Sequence, residues 1–375
     1  MAGIYLHIPF CKKACHYCDF HFSTSVNNRY EMASCLVSEL KMQKDYLGKE
    51  TIGSIYFGGG TPSVFSSKQI AEILDVIFNE FNVEKDAEIT LEANPDDLTK
   101  EYLKELKLTH VNRLSIGIQS FFDEDLIWMN RAHTAIEGEN VIKEARDAGF
   151  ENITADLIYG FNLLTDEKWI SNLHKMTSSG INHMSCYNLT VENGTALHNQ
   201  IKKGKSKPVL DDDGARQFEI GVKFLQKNGF YQYEISNFCQ DEKYSKHNTN
   251  YWKGVKYLGI GPSAHSFNGI ERQWNIANNS LYMSSINQNK IPSKVEILTK
   301  NQQFNEYIML GLRTVWGINL KEVENRFGGS FSFVLKNESE KFIDLGMIKQ
   351  TDENITLTNQ GKLIADQISS DLFIL

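Results

Sequence analysis

No stretch of the 375 residues approaches the ~18 consecutive apolar positions of a membrane span. The opening run Met1-Ala-Gly-Ile-Tyr-Leu-His-Ile-Pro-Phe10 has neither a basic n-region nor a long apolar core, so it does not read as a secretory signal. The expectation is a cytoplasmic chain that is not itself transmembrane. Positive charge is in deficit: 39 Lys and Arg face 47 Asp and Glu, a net charge of -8. A protein that coats phosphate backbones has the opposite balance, which excludes nucleic acid as the expected partner. Cysteine is scarce, six in all, too few in too long a chain for a disulfide scaffold. Low-complexity tracts are absent, as are internal repeats beyond a strand–helix alternation. What remains is ordinary globular composition, 41% apolar and 23% charged. At ~150 residues per domain, the length suggests one large domain and a smaller one.

Short β-branched or apolar runs recur at Ile4–Ile8, Ser54–Phe57, Glu88–Glu92, Arg113–Ile118, Thr154–Tyr159 and His183–Leu189. Helical periodicity fills the gaps, over Arg29–Lys44, Lys68–Phe81, Thr99–Leu106, Ala135–Ala148 and Asp166–Ser178. Ser66 or Ser67 caps the second helix, Asp96-Asp97 signals the start of the third, and Gly149 closes the fourth. Strands separated by helices make βαβ units with right-handed crossovers. The predicted fold class is therefore α/β, a partial (β/α)6 barrel whose functional loops follow the strand C-terminal ends. A further helix is expected over Asp211–Asn228. Residues 240–295 are rich in Asn, Ser, Gly and aromatics and have little periodicity. Helices from about Asn301 and Asn319, weak alternation over Leu345–Thr358 and a last helix from Thr358 predict a small winged-helix-like α+β module. Residues 295–375 carry 8 basic and 11 acidic side chains, a net of -3, which suits packing on the barrel better than binding DNA. The expected division is a barrel over 1–235 with the ligand sites, a connecting segment over 236–294 and the module over 295–375.

Three of the cysteines crowd together as Cys11-x3-Cys15-x2-Cys18, directly after the first strand. Thiolates are soft ligands for iron–sulfur clusters and zinc. Three of them on a [4Fe–4S] cube leave one iron open to an amine and a carboxylate. Zinc completed by His16 or His21 is the competing reading, because structural zinc takes four protein ligands. Buried structural cysteines are a third.

The C-x3-C-x2-C spacing with the aromatic Tyr17 before its last cysteine resembles the radical S-adenosylmethionine (SAM) superfamily. Within it, Tyr5-Leu-His7-Ile-Pro-Phe-Cys11, Gly58-Gly59-Gly60-Thr61-Pro62, Arg113-Leu-Ser-Ile-Gly-Ile-Gln119 and Gly259-Ile-Gly261-Pro-Ser-Ala264 resemble the oxygen-independent coproporphyrinogen III oxidase group. The resemblance implies a [4Fe–4S] cluster on Cys11, Cys15 and Cys18, with SAM beside it. Gly59, Gly60 and Thr61 would meet the methionine end of SAM, in a run whose glycines let backbone approach a ligand. Glu92, Gln119, Arg131 and Asp156 lie at or near successive strand ends, where a barrel builds its site. Arg131 suits a carboxylate, Asp156 ribose hydroxyls, and Glu92 an ammonium or hydroxyl. Tyr5, Tyr17 and, more loosely, Thr190 are implied as further SAM-site residues.

Two features separate the chain from the oxidase itself. Phe20 stands where the oxidase has a further cysteine, and Cys11 lies close to the start, where the oxidase carries an N-terminal extension. His247-Asn248-Thr-Asn-Tyr251-Trp252 instead resembles the H-N-x-x-Y-W signature of the HemW-type heme chaperones. That likeness implies heme as cargo, with His247 as an iron ligand in an open loop and Tyr251 and Trp252 as an apolar wall. The alternatives are a structural loop histidine, or His265 or Cys239 as the ligand. The implied partners are heme-accepting proteins, membrane-associated ones among them, and an electron donor; the competing functions are oxygen-independent coproporphyrinogen III oxidase, whose activity is not expected, and a radical SAM enzyme acting on another substrate.

Overall fold

The computed structural model describes residues 1–374. Six strands, β1 (Ala2–Ile8), β2 (Ile52–Gly59), β3 (Val83–Ala93), β4 (Arg113–Gln119), β5 (Asn152–Tyr159) and β6 (His183–Asn188), pair in parallel in chain order. Beyond β6 the chain turns back as β7 (Tyr231–Gln232) and β8 (Asn237–Cys239), both antiparallel to their neighbours. On the other side, β9 (Tyr257–Ile260) pairs in parallel with β1. Antiparallel β10 (His265–Phe267), β11 (Glu271–Asn275) and β12 (Ser293–Ile297) complete a twelve-stranded sheet. Its outer strands β12 and β7 do not pair with each other, so the barrel is partial, as the strand count predicted.

Helices α1 (Arg29–Met42), α2 (Ser67–Glu80), α3 (Lys100–Lys107), α4 (Asp123–Met129), α5 (Ala135–Asp147) and α6 (Asp166–Ser178) link the parallel strands. Their starts are written in side chains: Ser66 and Thr134 each close a capping box, with Gln69 and Glu137. The third helix is capped by Thr99 rather than by the Asp96-Asp97 pair, which forms a short 3-10 turn. Ile4, Leu6, Ile55, Phe57, Leu91, Leu114, Ile116 and Leu157 are fully buried on the sheet's helix side. The opposite side is polar, and it is this side that carries the site.

Helices α7 (Ala196–Lys202) and α8 (Asp211–Lys227) follow β6. The span read as aperiodic is ordered: α9 (Lys246–Trp252) and α10 (Asn279–Asn287) flank β9–β12. Then come α11 (Lys300–Leu312), β13 (Ile318–Asn319), α12 (Leu320–Phe327), α13 (Gly329–Asp344), β14 (Ile348–Gln350), β15 (Asn354–Leu357), α14 (Asn359–Lys362) and α15 (Ala365–Asp371). Strands β13-β15-β14 form a separate three-stranded sheet over their own core of Phe304, Ile308, Leu312, Val323, Leu335 and Ile368. The module is thus winged-helix-like; beyond its sequence pattern it has helix α13, the short strand β13 and a last helix broken into α14 and α15. Among the described residues no helix is long and apolar enough to cross a membrane.

Candidate functional site

The cysteine loop leaves the C-terminal end of β1. Cys11 N–H donates to Ser23 O at 3.0 Å, and Ser23 N–H to Pro9 O at 2.9 Å, so the loop is tied at its base. Its far side rests on the end of α4: His16 N–H reaches Met129 O at 3.1 Å, and Asn130 Nδ2 donates to Ala14 O at 2.8 Å. Cys11, Cys15 and Cys18 are each half-buried. Thr61 Oγ1 donates to Cys11 Sγ, and Arg131 Nη1 to Cys15 Sγ, both at 3.4 Å. Burial pushes the Cys11 thiol up to about 11 and the Cys18 thiol up to about 12. Bare thiolates are disfavoured here, so the site suits a cationic centre that offsets their charge. Each candidate fourth ligand for zinc has one ring nitrogen engaged: His16 Nδ1 bonds Trp128 O at 2.7 Å, and His21 Nε2 bonds Asn279 Oδ1 at 2.7 Å. Cys35, Cys186 and Cys239 are buried.

The glycine run lies against this loop. Gly60 N–H donates to Ile8 O at 2.9 Å and Thr61 N–H to Phe10 O at 2.7 Å. A Cβ on Gly60 would stand 2.6 Å from Phe10 O, and Gly59 has φ +109, so both positions exclude a side chain. Gln119, at the end of β4, sits in the left-handed region at φ 67, where the β4–β5 register slips. Such backbone persists where surrounding structure imposes it, commonly at sites.

Around the chamber, polar groups are buried without full partners. Arg131 Nη2 donates to Asn94 Oδ1 at 2.7 Å and Gly117 O at 2.8 Å, but its Nε has no partner. Gln119 Oε1 and Asp156 Oδ1 are likewise unpaired. Buried polar atoms are rarely left so. A guanidinium N–H, an amide oxygen and a carboxylate oxygen fit the carboxylate, ammonium and ribose hydroxyls of SAM. Glu92 accepts from Tyr56 Oη at 2.7 Å. Burial, with the neighbouring Asp156 carboxylate, raises Glu92 to about 7; burial raises Asp156 to about 6. Tyr5 Oη bonds His7 Nδ1 at 3.1 Å on the same side, Tyr17 is half-buried beside the cysteines, and Thr190 is exposed just beyond β6.

Deeper in the barrel lies a polar floor that the sequence reading did not anticipate. Arg113, 2% exposed, is 3.7 Å from Glu88, within 3.4 Å of Thr90 Oγ1, and hydrogen-bonded to Thr154. His183 joins Thr154 to Tyr233, at 2.8 Å on each side. The signal was present. Parallel strands buried on both faces read as continuous apolar runs, whereas Ser54/Tyr56, Glu88/Thr90/Glu92, Thr154/Asp156 and His183/Ser185 alternate polar residues.

The His247 motif is part of this floor. It forms α9, not an open loop; Ser245 caps the helix, and the Glu88 carboxylate accepts from Lys246 N and His247 N, both at 3.0 Å. His247 is 2% exposed. Its Nδ1 bonds Ser54 Oγ at 2.9 Å, its Nε2 bonds Tyr251 Oη at 3.1 Å, and its ring stacks on Tyr56 at 5.0 Å. Both nitrogens are therefore engaged inside the barrel. Tyr251 and Trp252 are only partly buried. His265 is exposed at the start of β10, its ring stacked with Trp274 at 6.2 Å.

Residues 5–176 match the radical SAM superfamily, and residues 298–364 match the HemN C-terminal domain. The chain is 34% identical over 375 residues to the heme chaperone HemW of Bacillus subtilis, covering 98% of each chain. It is 31% identical to the heme chaperone HemW of Mycobacterium tuberculosis, over 98% of this chain and 93% of the relative. The mouse mitochondrial radical S-adenosyl methionine domain-containing protein 1 is 37% identical over 266 residues, 70% of this chain and 60% of that one. Among solved structures, the coproporphyrinogen III oxidase HemN of Escherichia coli superposes with a TM-score of 0.86 at 20% identity, over 99% of this chain and 90% of that one.

Proposed function

The chain belongs to the HemW family of the radical SAM superfamily, and on that premise we propose that it is a heme chaperone: it holds a [4Fe–4S] cluster and SAM, binds heme and passes it to acceptor proteins. Cys11, Cys15 and Cys18 would hold the cluster. Arg131 would pair with the SAM carboxylate, Glu92 would accept from its ammonium, and Asp156 from its ribose. Gly59, Gly60 and Thr61 would supply backbone along the methionine. Gln119, Tyr5, Tyr17 and Thr190 would complete the pocket. When bound, the cluster is a one-electron centre fed by an electron donor; the chain's own residues orient SAM and keep water from the chamber.

The observation that carries this reading is the ring of unpaired buried polar atoms on Arg131, Gln119 and Asp156, facing a three-thiol loop. Phe20, 67% exposed, occupies the position where a further thiol would mark the oxidase. The test is a pair of anaerobic assays on the cluster-loaded protein: hemin transfer to an apo-cytochrome, and turnover of coproporphyrinogen III with SAM and dithionite. Transfer without turnover is expected. Protoporphyrinogen formation without hemin binding would replace the chaperone reading with the enzyme.

A further inference from the structure

The proposed function leaves open where the heme sits, and His247, both nitrogens engaged and 2% exposed, does not reach a surface. The residues after it in its motif do. Tyr251 and Trp252 line a cavity of about 900 Å³ between the β9–β11 edge of the sheet and helix α11 of the C-terminal module. That volume lies in the range of sites that enclose cofactor-sized ligands. Flat aromatic rings line part of its wall, Trp252, Trp316, Tyr257, Phe267 and Tyr307, with Met309 as a soft, adaptable contact.

Cations stand among these walls. Lys253 is exposed, lies over the Trp316 ring at 4.3 Å and makes no ion pair among the described residues. Arg272 and Arg326 also line the cavity, each beside one acid: Arg272 Nε is 2.8 Å from Glu306, and Arg326 Nη1 is 2.9 Å from Glu322. An aromatic slot with an unpaired cation fits a flat macrocycle that bears carboxylates on one edge. The cavity also shares Tyr251 and Tyr257 with a second one of about 400 Å³, lined by Tyr5, His7, Phe20 and His265 at the barrel mouth. A ligand in the first would lie one aromatic layer from the SAM chamber.

Resting on the chaperone reading, the geometry points to this inter-module cavity as the heme site, with Lys253 meeting a propionate and His247 acting as a positioning residue. His247 does not touch the heme; it fixes the Tyr251 ring that forms the wall.

The test is a hemin titration of the full-length, cluster-loaded protein, followed by the Soret band and by quenching of tryptophan fluorescence. Val315 is 45% exposed at the cavity, so Val315→Trp fills the space without entering a core. Val315→Trp and Lys253→Glu should each weaken hemin binding about tenfold or more, while cluster absorbance and SAM affinity stay at wild-type levels. His247→Gln can still bond Ser54 and Tyr251, so it should keep the Soret maximum and bind within about threefold of wild type. His247→Ala should bind more weakly without moving the Soret maximum. Wild-type affinity in both Val315→Trp and Lys253→Glu would overturn the cavity assignment. A shifted Soret band in His247→Gln would make His247 an iron ligand and overturn it as well. Failure of the wild type to bind hemin would instead overturn the chaperone reading on which the assignment rests.

Discussion

Replacing Glu92 by Gln tests whether the chamber is built for a ligand's positive charge. The Glu92 carboxyl is raised to about 7 from an ordinary 4.5, chiefly by burial and next by Asp156, against the lowering effects of the Tyr56 hydroxyl and the Gly59 N–H. The folded chain therefore keeps a proton that the unfolded chain gives up between those two values. Stability from this group is fully present below pH 4.5 and is lost as pH rises through 7. At about 1.4 kcal/mol per pH unit, the interval sets a ceiling of about 3 kcal/mol. The side chain is only half-buried, so about 1–2 kcal/mol is the expected effect. Glu92→Gln carries no titrating proton. Relative to wild type, it should gain about 1–2 kcal/mol of unfolding free energy between pH 5 and pH 8, measured by urea unfolding of cluster-free, SAM-free protein. Loaded with cluster, the same variant should bind SAM about tenfold more weakly, since the carboxylate that costs stability is the one proposed to meet SAM's amino group. A wild-type–variant difference that stays flat from pH 5 to pH 8 would refute the reasoning.

Cys15→Ser should prevent anaerobic reconstitution of the brown [4Fe–4S] chromophore, while Cys35→Ser, Cys186→Ser and Cys239→Ser should retain it, by visible absorbance and iron content. Arg131→Ala should weaken SAM binding by at least ~20-fold in isothermal titration, because a charge-assisted pair worth about 2 kcal/mol is lost. Gly60→Val should abolish SAM binding through its clash with Phe10 O, a result read in the same titration. Burial holds His7 and His133 down near about 4 and His247 near about 3. Their contribution is fully present above the ordinary value of 6.5 and is lost as pH falls toward those values, so urea midpoints should drop steeply below about pH 5.5.

Where the chain follows local rules, its sequence is readable. The six parallel strands lie where β-branched runs lie, and Ser66, Thr134 and Gly149 mark helix ends as their chemistry requires. The cysteine loop and glycine run are legible because their spacing is itself the chemistry. The rest depends on partners far away in sequence. Strands β9–β12 are three to five residues long and contain Asn, Ser and Gly; β9 takes its register from β1, and the rest pair outward from it rather than by propensity. Helix α9, with its Asn-rich start, is a poor helix by composition and exists because Ser245 and Glu88 satisfy its first N–H groups. Arg113 reads as the first residue of a strand, and only the folded sheet reveals it as the centre of a buried floor. His247 is the sharpest case: its type and motif suggest a ligand, while in the fold both its ring nitrogens are hydrogen-bonded, to Ser54 and Tyr251.

The pairing of β9 with β1 also fixes an order of events during synthesis. Gly3 lies beside Tyr257, so one edge of the first strand stays bare until most of the chain has left the ribosome. Contacts of such separation form late, after the loop-closure entropy between them has been met. The cysteine loop grows directly from β1, and its His21 is held by Asn279 from still further along the chain. Iron should accordingly be loaded onto a nearly complete polypeptide rather than a nascent one. A product terminated before β9 would present an unpaired parallel edge beside three uncapped thiols, a species prone to aggregate and to oxidise.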